Sequence, residues 1–181
     1  MTTEVMIAIA VGLVLVLVWV AIGAANRLDR LHQKVARTGA TLDAQLLRRA
    51  AAAAELAATG RLDPASSLVV AEAAARALEV GQSDDDDPLT PERGLAESEL
   101  SRALRQALGV TGPAQDGTSA PDDATSTLEQ CWHRSQLARR FYNDAVAQAR
   151  RMRVQVVVRA LHLAGRARMP VTFEMDDATE R

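Results

Sequence analysis

From Val5 to Ala25 the chain reads VMIAIAVGLVLVLVWVAIGAA without a single charge. Few folds accommodate such a run. As a helix rising about 1.5 Å per residue, some 20 residues cover the roughly 30 Å hydrocarbon core of a bilayer. Trp19 falls near one end, where an amphipathic ring suits the lipid–water boundary. A cleaved signal peptide would begin with positive charge and have an apolar stretch of about 7–15 residues. Here the start is the acidic MTTE and the run is longer, although Gly23 to Ala25 provides the small residues that cleavage needs. The pattern therefore predicts one uncleaved membrane-spanning helix over 5–25. No Lys or Arg precedes the run, whereas Arg27, Arg30, Lys34 and Arg37 follow it. That asymmetry predicts a cell-membrane, single-pass protein with residues 1–4 outside and the rest cytoplasmic.

The residues after the anchor have the periodicity of helices. Leu28, Leu31, Val35, Leu42, Leu46 and Leu56 recur at helical spacings, and no proline separates them from the apolar run. One long helix is expected to pass from lipid into the domain and to end near Thr59, with Gly60 as its cap. Asp63-Pro64 reads as an N-cap followed by proline at the first helical position, opening a second helix that runs to about Val80. The stretch 81–94, GQSDDDDPLTPERG, is expected to be a loop. A third helix follows over about 95–108, then a flexible linker over 109–122. A last long helix is expected from Asp123 to about Ala164. Its inward stripe is Cys131, Ala138, Tyr142, Ala145, Ala149, Met152, Val156 and Leu163. An acidic tail with some fraying is expected over 170–181. The fold class is thus all-α: one N-terminal transmembrane helix, then an antiparallel helical bundle of about four helices over 26–169. Aromatic residues are only 3% of the chain while alanine is abundant, so the core must be built from Ala, Leu and Val.

Residue patterns that would carry catalysis are missing. His32, His133 and His162 lack ligand-like partners at helical spacing, so no metal site is expected. Asp84 to Asp87 lack the alternation, glycine and distal Glu of a calcium loop, and read as a solvated acidic segment. Neither a phosphate-cradling glycine loop nor a hydrolase elbow is present. The lone cysteine, Cys131, lies on the apolar stripe and reads as a packing residue. No catalytic, cofactor-binding or metal-binding residue is assigned, and a non-enzymatic role is expected.

Two segments carry a resemblance. After the anchor come Asn26-Arg-Leu-Asp-Arg-Leu, Val35, and Leu42-Asp-Ala-Gln-Leu-Leu-Arg-Arg49; much later comes Ala138-Arg-Arg-Phe-Tyr-Asn-Asp-Ala-Val146. In order and spacing they resemble the LemA family of small bacterial membrane proteins. Pro170 and Phe173-Glu174 fall where that family tends to end. The chain departs from the family at Ala50 to Leu56, at Ala149-Arg150 and at Val156-Val157, and its middle is shorter. It is similar to a divergent member, and its Arg and Ala richness suggests a high-GC, actinobacterial source. The resemblance implies a helical bundle beside one membrane helix and no established enzymatic activity.

Two sets of residues are candidates for the working surface. Asp43, Gln45, Arg49, Tyr142 and Asn143 are polar groups on two helices expected to be neighbours, and can form an interhelical hydrogen-bonded layer that sets register. Arg139, Arg140, Arg150, Arg151 and Arg153 form a cationic face on the last helix. That face suits acidic proteins, other copies of the chain or anionic lipid. The alternative is a solvated face balanced by acidic residues 84–99. Nucleic acid is disfavoured, because the face lacks base-stacking aromatics. The expectation is a membrane-tethered interaction or scaffold protein, or alternatively a structural protein acting by self-association or headgroup binding.

Overall fold

The computed structural model describes residues 2–83, 87–110, 123–154 and 169–176. Four helices occupy most of them: α1 (Thr2–Ala58), α2 (Pro64–Gly81), α3 (Pro91–Val110) and α4 (Asp123–Val154). No strand occurs among the described residues. The predicted all-α architecture with an N-terminal apolar helix is what the chain adopts. The expected continuation of the last helix to Ala164 lies outside the described residues beyond Val154, as do the stripe positions Val156 and Leu163, His162, and linker residues 111–122.

The helix boundaries follow from local chemistry. After Ala58, α1 gives way to a turn in which the Thr59 amide and hydroxyl both bond to the Leu56 carbonyl, at 3.2 and 2.7 Å. Gly60 then takes a φ of 73°, the left-handed conformation that glycine adopts without a steric penalty. Asp63 caps α2, its Oδ1 accepting from the amides of Ala65 and Ser66 at 3.1 Å each. In contrast to the expectation, α3 starts four residues before Leu95. The stretch Thr90-Pro91-Glu92 works as a helix start within the supposed loop: the Thr90 hydroxyl accepts from the Arg93 amide at 3.2 Å, with Pro91 at the first helical position. Gly109 lies inside α3 rather than in a linker.

By contact the chain divides into two compact units. The larger comprises Thr38–Asn143 with Thr172–Arg181. Its core joins Ala50, Ala53, Leu56, Val70, Ala74, Leu100, Leu104, Leu128 and Trp132 from all four helices. Alanines at Ala53, Ala74 and Ala77 are fully buried, which lets helix axes approach closely without large side chains. Contacts fix the directions. Asp43 and Arg49 meet Arg93 and Glu97, so α1 and α3 run parallel. Arg76 pairs with Glu99, and Val80 and Glu92 line one cavity, so α2 and α3 run antiparallel. Trp132 lies at Arg49 and Tyr142 at Gly39, so α4 returns antiparallel to α1. This is the up-down-up-down order of a four-helix bundle.

The expected frayed tail is in part ordered. Phe173 is buried, and its backbone amide and carbonyl both bond to the Asn143 side chain, at 2.9 and 3.1 Å. The Asp176 amide donates to Ser98 Oγ at 2.9 Å, and its carboxylate pairs with Arg105. A single large apolar side chain on a polar terminus is enough to dock it when backbone groups are satisfied as well.

The smaller unit comprises Met1–Arg37 with Asp144–Val171. Within it Leu28 and Met152 are buried against one another, flanked by Ala24 and Leu31. Lys34 Nζ donates to Gln148 Oε1 at 3.1 Å. Because partners on α1 fall from 34 to 28 as those on α4 rise from 148 to 152, the two stretches are antiparallel. The apolar run is uncovered: none of its most apolar window is buried, and side chains pointing every way, such as Val11, Leu13, Val14 and Val16, are exposed. Among the described residues, one helix is therefore long and apolar enough to cross a membrane.

Candidate functional site

The interior of the larger unit holds an ion cluster. On α3, Arg93, Glu97 and Ser101 follow one another at four-residue spacing, which sets them on the face that also buries Leu100 and Leu104. Arg49 of α1 enters this face fully buried. Its Nη2 donates to Glu97 Oε2 at 2.9 Å and to the Glu97 carbonyl at 2.8 Å, and its Nη1 donates to Ser101 Oγ at 3.1 Å. Its guanidinium lies over the Trp132 ring, 5.3 Å from the centroid, a cation–π arrangement. Arg93 Nε donates to the other Glu97 oxygen at 3.1 Å, and Arg93 Nη2 stands 3.5 Å from Asp43 Oδ1. Gly81 packs so tightly on the Arg93 guanidinium that a β-carbon there would overlap it. Two buried guanidiniums thus share the buried Glu97 carboxylate, and Arg93 also faces the partly exposed Asp43.

Burial dominates the titration of these acids. Desolvation raises Glu97 above the ordinary carboxylate range, against the pull of Arg49 and Arg93. Desolvation likewise raises Asp43, with Arg93 opposing. The side chains of Arg49, Arg93 and Glu97 are fully buried. A fully buried carboxylate held by an arginine from each of α1 and α3 ties the register of the two helices.

The five residues of the expected polar layer have different partners. Arg49 bonds to α3 and stacks on α4. Asp43 meets Arg93. Gln45 is half-buried, its Oε1 without a partner. Tyr142 is buried, its ring 3.4 Å from where a β-carbon on Gly39 would stand. Asn143 holds the Phe173 backbone. Sequence reasoning missed Arg93 because α3 was begun too late, and it gave Glu97 and Ser101, which lie inside the expected helix, no role. The readable signal is their four-residue spacing on a face otherwise made of Ala and Leu.

Compared with family models, curated proteins and solved structures, the chain matches none. The surface must therefore be read from its own chemistry. On α4, His133, Arg134, Leu137, Arg140, Phe141 and Asp144 are all exposed and recur at helical spacing. Phe141 is 62% exposed, whereas the only other phenylalanine, Phe173, is 2% exposed. Arg139 is half-buried beside this stripe. In the smaller unit Arg151 is exposed, Arg153 half-buried, and Arg150 donates to the Pro170 carbonyl at 2.8 Å. The acids expected to balance this face are engaged elsewhere in part, Glu97 with Arg49 and Arg93, Glu99 with Arg76. Asp84 to Asp86 lie outside the described residues, and Asp87 caps its own turn through the Leu89 amide. A cavity of about 470 Å³ opens between the ends of α3 and α4, walled by Leu128, Trp132, Arg105 and His133. Among the described residues no three His, Cys, Asp or Glu side chains gather as a metal site. Cys131 is partly buried against the core.

Proposed function

We propose that this chain is a LemA-like, non-enzymatic membrane-anchored helical module that displays a protein-binding surface on the cytoplasmic side. The observation that carries this reading is Phe141. A large aromatic left 62% exposed between Leu137, Arg140 and Arg134 has the composition of an interface hot spot: an apolar anchor ringed by arginines. The occupant suited to it is an acidic protein surface with an apolar recess. The apolar part of α1 supplies the anchor, since an uncovered run of this length is stable in lipid and exposed to aggregation in water. The positive charge at its C-terminal end favours a cytoplasmic domain. The ion cluster supports the scaffold reading, since Glu97 is fully buried and held by both Arg49 and Arg93.

The test is a photo-crosslinking side chain at position 141 in cells. A recurrent protein adduct, weakened by Arg140→Glu, is the expected result. Adducts to lipid alone would reject the protein-binding reading in favour of the second one, a structural protein acting on the membrane itself through headgroups or self-association.

A further inference from the structure

We propose that the α1 and α4 segments of the smaller unit form a two-helix cationic collar that binds anionic phospholipid headgroups. The inference rests on the membrane-anchor reading above. Leu28 lies three residues beyond the apolar run, about 4.5 Å along the helix. That depth falls within the headgroup layer, about 5–8 Å thick on each side of the hydrocarbon. Met152 is buried against Leu28, and Ala24 joins the same contact, so α4 descends to this depth as well. The Lys34–Gln148 hydrogen bond fixes the direction of approach, with the C-terminal end of α4 nearest the bilayer.

The charges gathered there are mostly positive. Within a turn of the Leu28–Met152 contact, over 26–31 and 150–154, the chain carries Arg27, Arg30, Arg150, Arg151 and Arg153 against Asp29, five cations to one anion. Arg27, Arg30 and Arg151 are exposed. Asp29 accepts from Gln33 within its own helix at 2.9 Å. The α1 charges alone would follow from orientation in the membrane. The α4 arginines do not, because they come more than a hundred residues later and reach this level only through the Leu28–Met152 contact. Cations at headgroup depth on two adjacent helices suit the phosphates of anionic lipid, each adding about a factor of five to association at a membrane surface.

The experiment uses the full chain in nanodiscs of phosphatidylcholine and phosphatidylglycerol, with spin-labelled versions of each lipid. The fraction of immobilised label gives the relative association of the two lipids. Phosphatidylglycerol is expected to associate about fivefold more strongly than phosphatidylcholine, with the preference shrinking in high salt. Arg151→Gln with Arg153→Gln should remove at least half of it, while Arg151→Lys with Arg153→Lys should keep it. Circular dichroism verifies that each variant remains helical. Equal association of both lipids, or a preference unchanged by the glutamine pair, would overturn the collar while leaving the anchor standing. Absence of any immobilised lipid would overturn the anchor reading and the collar with it.

Discussion

Replacing Glu97 with alanine tests whether the ion cluster holds the bundle together. Glu97 accepts from Arg49 at 2.9 Å and from Arg93 at 3.1 Å, and all three side chains are fully buried. Removing one partner of a buried pair typically costs about 3–5 kcal/mol, because a charge is left without compensation. The two arginines are not stranded equally. Arg49 keeps the Glu97 carbonyl, Ser101 Oγ and the Trp132 face. Arg93 keeps only Asp43 at 3.5 Å. The loss should therefore lie near the low end, about 3 kcal/mol, a large share of the ~5–15 kcal/mol that stabilises an ordinary domain. Glu99→Ala is the control: its pair with Arg76 is exposed, 44% and 57% respectively, and such pairs are worth about 0–1 kcal/mol. The assay is urea unfolding of the full chain in mild detergent, followed by helical circular dichroism. Arg49→Met and Arg93→Met combined with Glu97→Leu should recover much of the loss, since apolar replacement of a whole buried ionic group is often close to neutral. A Glu97→Ala variant no less stable than Glu99→Ala would refute the reasoning.

Asn143→Leu should release the C-terminal segment by removing both bonds to Phe173, each worth about 0.5–1.5 kcal/mol; limited proteolysis should then clip residues beyond 169 sooner than in the parent. Gly94→Ala should do the same by a different route, since a β-carbon there would run into the Glu174 carbonyl; unchanged proteolysis would place that backbone elsewhere. Acidification has a defined sign. The native pKa of Glu97 is raised above its unfolded value of about 4.5, so native protein takes up that proton first. Stability attributable to Glu97 should rise as pH falls from neutral through the native value and level off below about 4.5. Glu97→Gln should abolish that slope in pH-dependent unfolding. The Asp63 cap acts oppositely: hydrogen bonds from Ser66 and Ala65 lower its pKa below 3.8, so its contribution persists above that pH and is lost as pH falls through the lower native value. Asp63→Ala should flatten the acid limb of the same titration.

The fold was legible where one chemical rule governs. The uncharged run, the Gly60 stop and the Asp63-Pro64 start each have a local cause, and each lies where expected. The start of α3 was misread because proline and acidic residues serve both loops and first helical turns, and only the Thr90 hydroxyl distinguishes them. The ion cluster was half legible. Arg49 was recognised as a polar group on an inward face, but its partner lies on a different helix from the one expected. A carboxylate on an apolar face has no sequence signature of whom it faces, since that depends on how α1 and α3 align. The C-terminal segment was misjudged for a related reason: a single phenylalanine among acids reads as exposed until a side chain such as Asn143 is known to meet its backbone.

The central claim, an uncleaved anchor with the bundle on the cytoplasmic side, is tested most directly by cysteine accessibility in intact cells. In a Cys131→Ser background, Thr3→Cys and Ala75→Cys would be exposed in turn to a membrane-impermeant maleimide; Ala75 is exposed on α2. The account predicts labelling at position 3 from outside, labelling at position 75 only after permeabilisation, and retention of the full-length chain in membranes washed with alkaline carbonate. Labelling at position 75 in intact cells, or a chain shortened by roughly 25 residues and released by carbonate, as removal of a signal peptide would give, would contradict it.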